Sequence, residues 1–260
     1  MKRITKLLKD GPRHQNHIGK AITVAQKTAE ELPKEPGEEY IKIKERQQPT
    51  AKRLLAEHVV RKYVHGLDAV AIDAGSTLEL IVERMMQTKQ DLVILTNNMT
   101  AFRRDTRREA QVSRNEFVLT GGKYVAQFDA LLGNETHSSF ELFNPNVIII
   151  GASGVVPSEG FFCHGNDEKN VKHLLFDKDD CTILIPVDYT KLGKADSYIF
   201  GEMRDFHDTE RKKCIIVTVG PSKEGDGAPT GQYDQARKEY EKHIKGLSAQ
   251  SITVDVVPND

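Results

Sequence analysis

An α/β fold is predicted, a mostly parallel Rossmann-like sheet with flanking helices preceded by a helical N-terminal extension, and three observations predict it. From Ala69 onward, short β-rich runs alternate with longer amphipathic segments. Several of the runs, VIIIG and ILIPV among them, are apolar without alternation and read as strands covered on both faces, the mark of parallel strands under helices. Residues 1–48 lack that pattern and form a polar, basic, partly helical extension, while residues 49–260 form the folded domain.

In the extension, residues 1–32 suit one or two helices, and PKEPGEEYIKIKERQQ from Pro33 is a polar connector with little to bury. The domain opens with PTAKRLLAEHVVRKYVH, where Leu55, Val59 and Tyr63 share one helical face. Pro49 suits the first turn and Gly66 the stop. AVAID, STLELIVERMM, DLVILT, MTAFRRDTRREA and EFVLT then follow in βαβαβ order. Further strand-like runs are NVIIIG, CTILIPV, SYIF, CIIVTVG and SITVDVV, with helices expected at NDEKNVKHLLFD and QYDQARKEYEKHIKG. PSKEGDGAPTG, residues 221–231, is the one Gly/Pro-rich surface loop that stands out.

Composition excludes several classes. At 260 residues and 38% hydrophobic content the chain buries a substantial core. Cys163, Cys181 and Cys214 are too few, and wrongly spaced, for a disulfide scaffold or a zinc ribbon, which points to a reducing compartment and a cytoplasmic protein. No apolar run of about 20 residues offers a membrane span, and the N-terminus lacks the apolar segment of a signal peptide. Charge is uneven: residues 1–66 carry 15 Lys and Arg against 8 Asp and Glu, and residues 67–260 carry 22 against 30. Such a basic start suits either a solvated helical face or a nucleic-acid-binding arm.

In open parallel sheets, ligands bind beyond the carboxyl ends of strands, and five strand ends here carry small, hydroxylated, amide or Gly residues. They are Ala74-Gly75-Ser76-Thr77 after AID, Thr96-Asn97-Asn98 after LVIL, Gly121-Gly122-Lys123 after FVLT, Ala152-Ser153-Gly154 after IIIG, itself ending on Gly151, and Asp188 to Lys191 after ILIPV. This mixture suits a phosphorylated polyol or a related small anion. Backbone N–H groups and hydroxyls of Gly75, Ser76 and Thr77 at a helix N-terminus would cradle the anion. Asp73 would accept from a sugar hydroxyl or from the N–H groups of its own turn. Gly121 and Gly122 would allow close backbone approach, and Lys123 or Lys191 would supply positive charge. Each position also has a plainer reading, since such a turn is more often a helix cap and Asn97 and Asn98 are common turn formers. GASG after IIIG has neither dinucleotide nor nucleophile-elbow spacing, and Cys163-His164 with His173 lacks metal-ligand spacing. Neither cofactor nor metal is expected.

With GLDAVAIDAGST, VILTNN, VLTGG, LLG, IIIGASGV and PVDYTKLG in that order, residues from about 49 to about 216 resemble the sensor domain of the DeoR family of bacterial transcription regulators. The resemblance implies a fold shared with ribose-5-phosphate isomerase and the CoA transferases. It also implies a pocket for a phosphorylated sugar effector, a role in regulating carbohydrate metabolism, and self-association. Members begin with a winged helix-turn-helix, but residues 1–48 show no recognition-helix signature, so DNA contact by that route is not expected, although the basic extension leaves DNA binding possible. The alternative is a sugar-phosphate isomerase of the same fold, with Asp73, Asp188 and Lys191 as its catalytic groups.

Overall fold

The computed structural model describes residues 47–106, 114–223 and 232–259; the extension to residue 46, the end of MTAFRRDTRREA and most of the Gly/Pro-rich loop lie outside them. In chain order, α1 (Pro49–Tyr63) leads into β1 (Ala69–Ile72), α2 (Ser76–Thr88), β2 (Val93–Thr96), α3 (Met99–Thr106) and β3 (Glu116–Leu119). A hairpin follows, β4 (Lys123–Val125) and β5 (Ala130–Leu132), then α4 (Asn134–Leu142) and β6 (Val147–Ile149). Next come β7 (Gly154–Val156), β8 (Gly160–Cys163), α5 (Asn166–Phe176) and β9 (Cys181–Asp188). The chain closes with β10 (Tyr198–Glu202), β11 (Lys212–Val219), α6 (Tyr233–Ser248) and β12 (Thr253–Val257).

Seven strands form one wholly parallel sheet in the order β12-β11-β9-β6-β1-β2-β3. Both faces are apolar because alternate residues of each central strand feed different cores. Val70, Ile72, Ile149 and Leu184 pack against Leu55 and Val59 of α1 and Leu78, Ile81 and Met85 of α2. Ala71, Ile148, Ile183 and Ile216 face Phe140 of α4 and Val171, Leu175 and Phe176 of α5. The uninterrupted apolar runs are therefore explained by two covered faces.

SYIF forms a strand, but β10 joins an antiparallel sheet, β10-β8-β7, outside the main one. An aromatic cluster fastens it: Phe161 lies 4.7 Å from Phe206 and 5.8 Å from Phe176, ring centre to ring centre. Among the described residues, no helix is long and apolar enough to cross a membrane.

The edge strand β12 is tied to α1 through Asp255. Its carboxylate accepts from Tyr63 OH at 2.8 Å and Lys62 Nζ at 2.9 Å, with His58 Nε2 at 2.6 Å. Burial alone would raise the Asp255 carboxyl, but these three neighbours hold it below the usual value. A lowered folded value contributes stability that is present above about pH 4, the unfolded value, and is lost as pH falls through the folded one. An Asp255→Asn variant is expected to be less stable than the wild type at pH 7 and to lose less of its stability between neutral pH and pH 3, as read by urea unfolding at each pH. Parallel curves for the two proteins would rule out this clamp as an acid-sensitive element.

Candidate functional site

The chain runs from β1 through β2 to β3 on one side of the sheet and returns to β6 on the other, so the strand order reverses between β1 and β6. Crevices open at such switch points, outside the carboxyl ends of the strands. Here the crevice is a cavity with about 770 Å³ of free space, its mouth included. From the expected set it gathers Asp73, Gly75, Ser76 and Thr77 after β1, Asn97 after β2, Gly151 and Ser153 after β6, and Asp188 and Lys191 after β9.

Gly75 occupies the cap position of α2 with φ of 148°, a conformation that side chains with a Cβ rarely adopt, and no side chain caps the helix. Ser76 and Thr77 are thus its first two helical residues, with their hydroxyls uncommitted to capping. The first N–H groups of α2 have no carbonyl one turn back to receive them. The Gly75 carbonyl is fixed from two directions, by the Glu79 N–H at 2.9 Å and by Asn98 Nδ2 at 3.4 Å. Gly75, Ser76 and Thr77 all line the cavity, and a helix N-terminus there is an arrangement suited to an anion.

The cavity's inner wall is a charge cluster that sequence reasoning missed. Lys172 of α5 is 1% exposed and donates to Asp73 Oδ2, to Gly151 O at 2.8 Å and to Glu168, whose Oε1 is 3.3 Å away. Glu168 uses its other oxygen to cap α5, accepting from the Gly165 and His164 N–H groups at 3.2 Å each. Burial opposes the charge on Lys172, yet Asp73 and Glu168 outweigh it and hold the ammonium protonated above the ordinary lysine value. Lys52, from the first turn of α1, also lines the cavity and is 3% exposed. Lys52, Lys172 and Lys191 thus face Asp73, Glu168 and Asp188, and the charges balance.

The sequence reading singles out neither Lys172 nor Lys52. Lys172 follows Glu168 by one helical turn, the spacing of an ordinary surface ion pair, and Lys52 lies in a run of polar residues. A signal lay in Lys172 being followed by Leu174, Leu175 and Phe176, which turns this stretch of the helix inward.

Asp188 accepts from the Thr190 N–H at 2.9 Å and from the Thr190 hydroxyl, and so caps the single 3-10 turn, Tyr189–Lys191, that presents Lys191. Behind Ser153, Asp196 lies 3.3 Å from His164 Nδ1. Burial would raise its carboxyl, but hydrogen bonds from His164, Ser153 and the Ser197 N–H hold it well below the carboxylate range.

Four expected residues do not line the cavity. Thr96 is fully buried, and its hydroxyl accepts the Asn98 N–H at 3.1 Å. Gly121 and Gly122 lie close to α4: the Gly121 carbonyl accepts from Thr136 Oγ1 at 2.7 Å, and a Cβ on Gly122 would lie 2.2 Å from that oxygen. Lys123 is exposed on β4, paired in the hairpin with Leu132. The VLTGG motif therefore positions the hairpin, and the hairpin supplies Phe128, Ala130 and Leu132 to the cavity wall. Asn97 holds it from below, donating from Nδ2 to Leu131 O at 3.1 Å and accepting the Leu131 N–H on its own carbonyl at 2.9 Å.

A parallel sheet with a cavity at its switch point is the layout in which α/β domains commonly receive a small ligand at the carboxyl edge. The chain belongs to the DeoR family, whose C-terminal sensor domain matches residues 47–209. No curated protein sequence matches the chain. Solved structures similar to it include eIF2B beta from Chaetomium thermophilum, with 13% identity and a TM-score of 0.38 over 57% of this chain and 40% of that one. Ribose 5-phosphate isomerase A from Neisseria gonorrhoeae is similar at 17% identity and TM-score 0.35, over 54% of this chain and 52% of the isomerase. A probable sor operon regulator from Shigella flexneri is similar at 12% identity and TM-score 0.31, over 82% of this chain and 85% of the regulator. The chain thus spans about half the length of the isomerase and less of the eIF2B subunit.

Proposed function

We propose that this protein is a cytoplasmic sensor of a phosphorylated sugar, whose bound state is passed to transcription of carbohydrate-metabolism genes through its own oligomer, its N-terminal extension or a partner. The observation that carries the reading is the α2 N-terminus. Gly75, Ser76 and Thr77 at that N-terminus, with no side chain capping the helix, line a cavity shared with Lys191, within a domain of the DeoR sensor family. The phosphate sits on Gly75, Ser76 and Thr77 with Lys191 as counter-charge, and the sugar extends toward Asp73, Asn97 and Ser153. Support for binding rather than isomerisation comes from the acids a catalytic reading needs: Asp73 is ion-paired with Lys172, and Asp188 is tied to Thr190.

Thermal unfolding against sugar phosphates and matched free sugars tests the reading, because a ligand at about 100 times its dissociation constant adds roughly 2.7 kcal/mol to native stability. The expected result is a shift that requires the phosphate and is lost in Gly75→Val and sharply reduced in Thr77→Ala. Absence of any phosphate-dependent shift would refute it, and turnover of a bound sugar phosphate, lost in Asp188→Asn, would replace it with the isomerase. DNA retention that falls with salt and disappears on deletion of residues 1–48 would assign the output to the extension.

A further inference from the structure

Once a phosphate is seated on α2, the inner wall of the cavity still has an unbalanced set of hydrogen-bonding groups. Lys172 has nothing left to offer a ligand, since its three N–H donors face Asp73 Oδ2, Glu168 Oε1 and Gly151 O. Two oxygens are in the opposite condition. Asp73 Oδ1 and Asn97 Oδ1 are buried on residues that line the cavity, and neither has a hydrogen-bond partner among the described residues. Asp73 is 1% exposed and Asn97 0%.

Neither group can turn away to find a donor. The Asp73 carboxylate is held through its other oxygen by Lys172, and the Asn97 amide must keep its NH2 toward the Leu131 carbonyl, 3.1 Å away. A phosphate or carboxylate does not help them, because an ionised anion brings acceptors alone. An acceptor left dry and unpaired when a ligand closes the cavity costs affinity, and one that receives a donor restores it. On the sugar-phosphate reading, the neutral donors that such a ligand brings are its hydroxyls.

Resting on the sugar-phosphate reading of the same site, we infer that the effector is selected by two hydroxyl groups of its carbon chain, one donating to Asp73 Oδ1 and the other to Asn97 Oδ1. Asp73 and Asn97 are then the specificity-determining residues, and Lys172 is the positioning residue that holds the Asp73 carboxylate at the cavity wall. The protein ignores anions of equal charge that lack those hydroxyls, inorganic phosphate and short carboxylic acid phosphates included.

Titration calorimetry on the full chain decides this with pentose and hexose phosphates, each set beside analogues lacking one hydroxyl at a time, the free sugars and inorganic phosphate. For the tightest ligand, removal of either of two particular hydroxyls is expected to weaken binding at least about tenfold, the effect of leaving one buried acceptor unpaired, while removal of any other changes it less than about threefold. Asp73→Asn gives a second readout. Its amide oxygen turns to Lys172 and its NH2 takes the place of Oδ1, so the hydroxyl there must accept where it had donated to a carboxylate; the loss on removing that hydroxyl shrinks, and the loss on removing the other is retained. If that variant fails to fold, the analogue series on the unaltered protein still decides. Sugar phosphates that bind with every deoxy analogue within threefold would overturn the inference and leave the sugar-phosphate reading intact. Free sugars that bind as tightly as their phosphates, with the two hydroxyl losses preserved, would uphold the inference and overturn the phosphate reading. No binding by any member would overturn both.

Discussion

Replacing Lys172 by methionine is expected to cost about 3–5 kcal/mol, the usual penalty for stranding one half of a buried ion pair. In a domain of this size that lowers the unfolding midpoint by roughly 6–20 °C. Methionine fills much of the same space, so the loss reports charge rather than a cavity: Asp73 and Glu168 would face each other with no cation between them. The pH dependence separates the two causes. Because the folded Lys172 value is raised, the pair's contribution is fully present below the ordinary lysine value of about 10.4 and is lost as pH rises through the folded one. On the acid side, burial already pushes the Asp73 carboxyl up, so protonation relieves the variant first, and its deficit narrows as pH falls toward 4. Urea unfolding of both proteins from pH 4 to 8 checks this, and a deficit under 1 kcal/mol at pH 7 would show that the cluster contributes little.

Gly122→Val is the second large effect, and it falls on a residue outside the cavity lining. With φ at 129°, a Cβ there would lie 2.2 Å from Thr136 Oγ1 and 2.8 Å from the Leu132 carbonyl oxygen. Strain and overpacking together cost roughly 2–6 kcal/mol. The hairpin it displaces carries Phe128, Ala130 and Leu132, so sugar-phosphate affinity should fall as well. In Gly122→Ala, where the clash is with one hydroxyl and one carbonyl, adding Thr136→Ala should return part of the stability. A Gly122→Val protein that is stable yet fails to bind would instead restore the direct ligand contact expected from the sequence.

These two positions show where sequence was informative and where it was silent. The turn after β1 was legible because a Gly-Ser-Thr run between an apolar strand and an amphipathic helix carries local meaning, and the parallel sheet was legible because its strands are apolar on both faces. Lys172 was hidden because Glu168 and Lys172 look like a surface pair. Only the packing of α5 against Gly151 and Asp73 takes that lysine out of water. Gly121 and Gly122 were legible as places of close approach, but what approaches is α4, an element whose run NETHSSFEL buries just Thr136 and Phe140 and so has no clear hydrophobic period. The hairpin β4–β5 and the pair β7–β8 are three and four residues long, too short for alternation to distinguish them from loop.

The strand order also dictates when the site comes into being. β1 takes its second neighbour from β6, and the cavity takes Asp188 and Lys191 from the end of β9, which is itself bounded by β11. A ribosome that has released only the chain through α5 has made the AIDAGST turn, the hairpin wall and Lys172, but not Asp188 or Lys191. At about 5–20 residues per second, many seconds separate synthesis of the turn from arrival of its last partner. The last residues of the cavity therefore arrive with the second half of the sheet, and a ligand that needs them acts on the finished domain, where its binding adds to native stability.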